Sequence, residues 1–272
     1  MGTPGGLKLR ALRDDRRRSQ LWVEVEADLG TGYLQRLESG RVAQPVRATL
    51  ERILDALAAR YDERCETLAL FGYIASTPLP SDAEFAWARE VCRDELAAVA
   101  FPAYVLDCAH RLVAWNRFFP RLLGVRQTAP LPSSLIGRSL LAPWFDPTSL
   151  LAPLVAEPDR FLPALLRAFR FEMGRFGGEP WYREIVLEPL HALPRFRQYW
   201  AQVAAEPATA GAGRALVPVF LDLPRGGRLQ FRLAAEPFTH DARFRAIYYF
   251  PADEDSMRQC VVWAEEPLPP EC

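Results

Sequence analysis

Apolar positions between residues 7 and 75 fall in short groups of helical length: Leu9 and Leu12, then Leu21, Val23 and Val25, then Tyr33, Leu34 and Leu37. Leu50, Ile53, Leu54 and Leu57 follow at i, i+3, i+4 and i+7, an amphipathic stripe. Leu68, Leu70 and Phe71 close a cluster of short helices. The stretch from Ser76 to Ser81 carries two prolines and reads as a linker, after which Ser81 or Asp82 with Glu84 caps a helix over residues 82–98. Beyond it the period changes. Tyr104–Asp107 and Arg111–Trp115 are strand-like runs joined by a turn at Asp107–His110, and Asn116 is placed to cap a helix reaching Leu123. Residues 126–135 form a proline-rich loop, and residues 136–206 are mostly helical, broken at Pro143, Pro147, Gly177, Gly178 and Pro194. A flexible small-residue loop at Ala208–Gly213 precedes three strands predicted over 215–222, 228–235 and 243–250, with a turn at Gly226 and Gly227. In the middle one Leu229, Phe231 and Leu233 alternate with Gln230 and Arg232, one face buried and one wet.

The chain's 272 residues, half of them hydrophobic, suffice for one large or two modest domains, each able to bury a core. The formal net charge of −1 gives no global field toward nucleic acid or membrane, so any DNA contact needs a local patch. Five scattered cysteines without a CxxC pair argue for a reducing, cytoplasmic setting. The polar, arginine-rich beginning reads as no signal peptide, and the most apolar stretch, Phe161–Met173, is short and broken by Arg167 and Arg170, so no membrane span is expected.

Residues 9–40 hold the most specific pattern. Ser19 and Gln20 open one short helix, Gly30 lies just before another, and Thr31, Gly32 and Tyr33 form that second helix's first turn. Leu34 and Leu37 pack inward while Gln35 and Arg36 point out. This is the layout of a helix-turn-helix, whose second helix enters the major groove. Arg36 matches guanine O6 and N7 and Gln35 matches adenine. Gln20 at a helix start, with Arg16, Arg17, Arg18 and Arg41, supplies phosphate contacts. A helical bundle with a solvated arginine face is the plainer alternative.

The segment 9–58 resembles the Xre/Cro-type repressor helix-turn-helix family at Arg10, Leu12, Arg13, Ser19, Gln20, Tyr33, Leu34, Leu37, Glu38, Gly40 and the run from Leu50 to Leu57. The resemblance implies an internal Arg13–Glu38 ion pair, phosphate contacts at Gln20, Arg41 and Gln44, and base contacts at Thr31, Gly32, Gln35 and Arg36. It implies a duplex operator as partner, and half-site symmetry then calls for a homodimer. The chain departs from the family at Glu24, where a small residue is usual, at Asp28, where glycine is, and near Arg17, where glycine or another small residue is. A carboxylate at Glu24 is expected at the helix crossing, near phosphate, paired with an arginine or widening the crossing.

Two strands, an Asn-capped helix, several helices and three more strands follow the order of a PAS-like sensor domain. The Pro102–Asp107 and Val113–Asn116 runs, with Arg195–Trp200, resemble the MmyB-like ligand-binding domain found behind such helix-turn-helix modules. The resemblance implies a five-stranded antiparallel sheet with helices over one face and a cavity for a small apolar or fatty-acid-like molecule. Trp115, Phe118, Phe169, Phe231, Leu233 and Tyr248 are candidate lining residues, with ordinary core packing as the alternative for each. Arg170, like Arg167, either holds a carboxylate head group, faces solvent or pairs with a neighbouring acid.

Chemistry beyond this is sparse. His110, His191 and His240 lack metal-ligand spacing, so no metal is expected. No GxSxG, P-loop or GxGxxG occurs, Asp107, Cys108 and His110 sit in a turn, and neither a catalytic site nor a cofactor is expected. A lipid-binding or hydrolytic enzyme is disfavoured by the lack of a nucleophile–base pair, and a regulator that has lost DNA binding is the nearer rival. The reading is therefore a helix-turn-helix bundle over residues 1–75, a linker over 76–84, an α+β PAS-like sensor over 85–265 and a tail over 266–272.

Overall fold

The structure, a computed structural model, describes residues 2–124, 133–206, 217–224 and 227–266. Most of the proline-rich loop, the small-residue loop, Gly226 of the glycine turn and most of the tail lie outside the described residues. The chain divides into two compact units, residues 1–76 with 239–242, and residues 77–238 with 243–272.

The first unit is helical: α1 (Pro4–Asp15), α2 (Gln20–Glu26), α3 (Tyr33–Glu38), α4 (Arg47–Ala56) and α5 (Tyr61–Leu70). Thr3 opens α1 by accepting from Gly6 N at 3.2 Å, and Ser19 opens α2 by accepting from Trp22 N at 3.1 Å. Gly6 lets α1 pass close to the end of α3, since a Cβ there would stand 2.4 Å from the Leu37 carbonyl. Both helix exits use the left-handed region without glycine, with Arg17 at φ 52° and Asp28 at φ 50°. Each closes a Schellman turn: Arg18 N donates to Arg13 O (3.1 Å) and Arg17 N to Asp14 O (2.9 Å), while Leu29 N donates to Glu24 O (2.8 Å) and Asp28 N to Val25 O (3.2 Å). Both departures from the family, at Asp28 and near Arg17, thus fall where glycine is conformationally favoured.

The α4 stripe is buried as its spacing predicts. Leu21, Val25 and Leu70 are not. Val25 is 72% exposed, because residues two apart on a helix point to different sides and only Val23 of the α2 group faces the core.

The second unit begins with α6 (Asp82–Val91) and α7 (Arg93–Ala98), a single predicted helix divided at Cys92. Ser81 and Glu84 form the expected capping box. Then come β1 (Ala103–Asp107), β2 (Leu112–Trp115), α8 (Phe119–Leu122), several 3₁₀ turns, and α9 (Pro158–Met173). A π-helical turn over Tyr182–Leu187 leads into α10 (Glu188–His191) and α11 (Pro194–Ala204). Next are β3 (Val217–Leu223), β4 (Gly227–Pro237) and β5 (Phe244–Pro251). A last helix, α12 (Glu254–Glu265), was not foreseen, although Asp253 caps it by accepting from Ser256 N at 2.8 Å.

The five strands form one antiparallel sheet in the order β2-β1-β5-β4-β3. Tyr104, Phe231, Leu233 and Tyr249 project from one face into the large core beneath α9 and α11. Val105, Val113, Phe244 and Tyr248 project from the other face against Ala88, Cys92 and Leu96 of α6 and α7. Helices therefore cover both faces of the β2-β1-β5 half. This corrects the expectation of one covered face, and β1 is buried along its whole length as a result.

Candidate functional site

In the first unit the candidate surface is built around α3. Gly32 adopts φ 79° and caps the helix, so α3 starts at Tyr33 and Thr31 and Gly32 precede it, which corrects the expected first turn. Leu34 and Leu37 are buried and hold the helix from behind. Thr31, Gln35, Arg36, Arg41 and Gln44 are exposed, and Gly32 and Tyr33 half-buried. The Arg36 guanidinium lies 5.8 Å from the Tyr33 ring centre, and Arg18, exposed, lies 4.1 Å over Trp22.

Behind α3 lies a charge network. Arg13 donates to both Glu38 oxygens, from Nε at 2.7 Å and Nη2 at 3.0 Å, which is the internal pair the resemblance implied. That hydrogen bond holds the Arg13 guanidinium above its ordinary value. Gln20 Nε2 also donates to Glu38, at 2.7 Å, so this amide faces inward and not to solvent. Glu24 corrects the expectation made for it. Its carboxylate, in a residue 4% exposed, accepts from Gly32 N at 3.0 Å and Leu34 N at 2.8 Å. It ties α2 to the start of α3 in place of pairing with an arginine, filling a helix N-terminus that otherwise suits an anion.

In the second unit Phe118, Phe169, Phe231 and Leu233 share one core, and Trp115 packs at its margin half-buried. Tyr248 is not with them. On β5 it alternates with Tyr249, and Leu233 pairs with Tyr249, so Tyr248 points to the α6–α7 side. Arg170 Nη1 donates to the Val203 and Glu206 carbonyls, each at 2.8 Å, and Arg167 pairs with the Glu206 carboxylate at 2.6 Å. Both arginines join α9 to the end of α11.

Sequence reasoning missed the polar cluster at the β1–β2 turn. Asp107 is fully buried and accepts from Ala109 N, Arg111 N and Arg111 Nε at 2.9, 2.8 and 2.6 Å. His110, at φ 59°, has its ring 5.1 Å from Phe169, and Arg245 Nη2 lies 2.7 Å from its Nδ1. The available signal was Arg245 itself, a charge in an otherwise apolar strand. Burial pushes the Cys108 thiol up to about 12, the state of a structural and not a reactive cysteine.

Burial, and then the charge of Arg245, holds His110 well below its ordinary 6.5. The folded state therefore binds fewer protons than the unfolded one on the acid side. The stability from neutral His110 is complete above the unfolded value of 6.5 and is lost progressively as pH falls below it. Wild type is expected to lose up to about 1.4 kcal/mol per pH unit there through this one proton, and His110→Asn to show a flatter slope between pH 7 and 5 in urea unfolding. Parallel slopes would refute the assignment.

Among the described residues no group of three or more His, Cys, Asp or Glu is placed to hold a metal. No described helix is long and apolar enough to cross a membrane.

The chain comprises a helical unit and a larger unit built on an antiparallel five-stranded sheet with an aromatic core. The chain belongs to the MmyB-like transcription regulator ligand binding domain family, whose model matches residues 89–260. No curated protein matches. The solved structure of an RNA-binding light-oxygen-voltage receptor is similar at 12% identity over 94% of this chain and 63% of that one, with a TM-score of 0.28. This chain thus spans less than two thirds of the receptor's length, and a likeness that slight carries no argument.

Proposed function

We propose that the protein is a sequence-specific, DNA-binding transcription regulator of Xre/Cro type. Its second unit senses a small apolar or fatty-acid-like ligand with a PAS-like domain, and it works as a cytoplasmic homodimer without enzymatic activity. The observation that carries the DNA part is α3. Gln35 and Arg36 stand exposed on a short helix anchored by Leu34 and Leu37, with Arg18 and Arg41 exposed as well. The ligand part is supported by the family and by the aromatic core shared by Phe118, Phe169 and Phe231.

A second reading, in which the first unit no longer binds DNA, draws support from Gln20 and Glu24. The amide proposed for phosphate is bonded to Glu38, and a carboxylate occupies the start of α3.

A gel-shift series on promoter DNA from the protein's own locus separates the two. DNA binding predicts log affinity falling with log salt at a slope of about −0.9 per phosphate neutralised. Arg36→Ala is expected to cost about 1–3 kcal/mol on the operator and little on random DNA. Equal loss on both would reassign Arg36 to phosphate, and no salt-dependent shift at all would select the second reading. Mass spectrometry of gently extracted protein tests the ligand part by asking whether a fatty acid co-purifies.

A further inference from the structure

On the α6–α7 side of the second unit, away from the core that holds Phe118, Phe169 and Phe231, lies a cleft of about 750 Å³. That volume is within the range of small-molecule sites. Its floor includes Leu96 and Ala114, and Trp115 lines it as β2 ends. Ala88, Cys92 and Leu96 pack against the sheet, and Arg89 and Arg93 line the cleft, joined by Arg117 from the chain after β2.

Three guanidiniums meet one carboxylate here, since Glu90 is the only acid lining the cleft among the described residues. Glu90 pairs with Arg93, Nη1 to Oε1 at 3.0 Å. Arg117 is oriented without an ion pair among the described residues: Nη2 donates to the Ala264 carbonyl at 3.2 Å, and the guanidinium lies 4.8 Å over the Phe118 ring. Arg89 has no ion pair among the described residues. Asn116 makes the wall rigid. Its Oδ1 accepts from Ala103 N at 3.1 Å and from Phe118 N and Phe119 N at 3.2 Å each, and its Nδ2 donates to Phe101 O at 2.7 Å. The cleft therefore offers an aromatic wall, an apolar floor and uncompensated positive charge on a preset frame.

We propose that this cleft is a second small-molecule site, which takes a small aromatic carboxylate. The ring lies against Trp115 over Leu96 and Ala114, and the carboxylate meets Arg89 and Arg117. Trp115 also borders the core assigned to the apolar ligand, but Arg89, Arg93 and Arg117 belong to the cleft, so its charged half is separate from that core and the protein reads two different molecules.

Isothermal titration of the full chain with naphthalene-2-carboxylate and with the neutral naphthalene-2-carboxamide tests this. One carboxylate per chain is expected, with the amide bound about tenfold or more weakly, because only the anion meets the guanidiniums. Arg89→Gln combined with Arg117→Gln should weaken the carboxylate by about tenfold or more while leaving the amide unchanged. Both side chains are exposed, and an unchanged melting temperature checks the fold. Palmitate binding should be unaffected by the same pair, which keeps this test separate from that of the core site. Equal affinity for carboxylate and amide, no response to the arginine pair, or adenosine monophosphate binding more tightly than the carboxylate would each overturn the proposal, the last by assigning the cleft to phosphate.

Discussion

Glu38→Ala is expected to destabilise the first unit by about 3 kcal/mol, the lower end of the cost of removing one partner of a buried pair, because Arg13 keeps only the more exposed Asp14. The Glu38 carboxylate, in a residue 5% exposed, receives Arg13 Nε, Arg13 Nη2 and Gln20 Nε2. Without it the Arg13 guanidinium stays charged and buried, keeping only Asp14 (2.6 Å) and the Arg18 carbonyl (2.9 Å). A unit of this size is stable by roughly 0.05–0.15 kcal/mol per residue, or about 4–12 kcal/mol, so a substantial part of that stability would go. Amide hydrogen exchange on the full chain measures it, with protection across α1–α3 falling accordingly. The double variant Arg13→Met with Glu38→Leu should lose less than Glu38→Ala, because no buried charge is left. A loss below about 1 kcal/mol for Glu38→Ala would mean that the pair behaves as a solvent-screened surface bridge.

Asn116→Ala is expected to cost the second unit about 4 kcal/mol or more, since unpaired buried polar groups cost about 1–3 kcal/mol each and Asn116 satisfies several of them. Ala103 N and Phe118 N would lose their acceptor, and Val99 O and Phe101 O their donor, while Phe119 N keeps a bond to the Asn116 carbonyl at 3.2 Å. Asn116→Asp should not rescue. It keeps the acceptor but turns an oxygen toward two carbonyls and buries a charge. Urea unfolding monitored by circular dichroism reads both variants. A loss near 1 kcal/mol, that of a helix cap alone, would show that water replaces the bonds to the strand and the preceding loop.

Asn116 also shows how far the sequence could be read. Its position after a strand-like run marks it as the start of the next helix; Phe118 takes the N-cap position, and Asn116 Oδ1 accepts from Phe118 N and Phe119 N just ahead of it, a local arrangement of neighbouring residues. Its bonds to Val99, Phe101 and Ala103 depend on how β1 lies beside β2, which no local pattern contains. The α4 stripe, the Ser81–Glu84 box and all five strands were legible for the same local reason. Leu21 and Val25 were misread because apolar character was counted without the helical angle. The division at Cys92 carries no glycine or proline to announce it.

The candidate sites follow the same line. Gln35 and Arg36 could be named from spacing, since a helix with two buried leucines must expose the residues between them, whereas Thr31 and Gln44 came from the family resemblance and Arg41 from its charge. Gln20 and Glu24 could not be placed that way. Each side chain reaches across a helix–helix junction, Gln20 to Glu38 and Glu24 to Gly32 and Leu34. In the second unit alternation told which β4 residues share a face, but Tyr248 was assigned without the register that sets β5 against β4.

By itself the sequence determined the short helices of the first unit and the strand order along the chain, and a resemblance of motifs pointed to the Arg13–Glu38 pair. All are set by periodicity, by capping, or by motifs that residues close in the chain complete. Tertiary structure alone decided that helices cover both sheet faces, that Arg170 serves a helix junction, that His110 and Arg245 meet under Phe169, and that Arg89, Arg117 and Trp115 share a cleft. Those outcomes depend on which distant surfaces meet when the chain buries its apolar area, and burial is a non-directional force that leaves the choice of partners to packing.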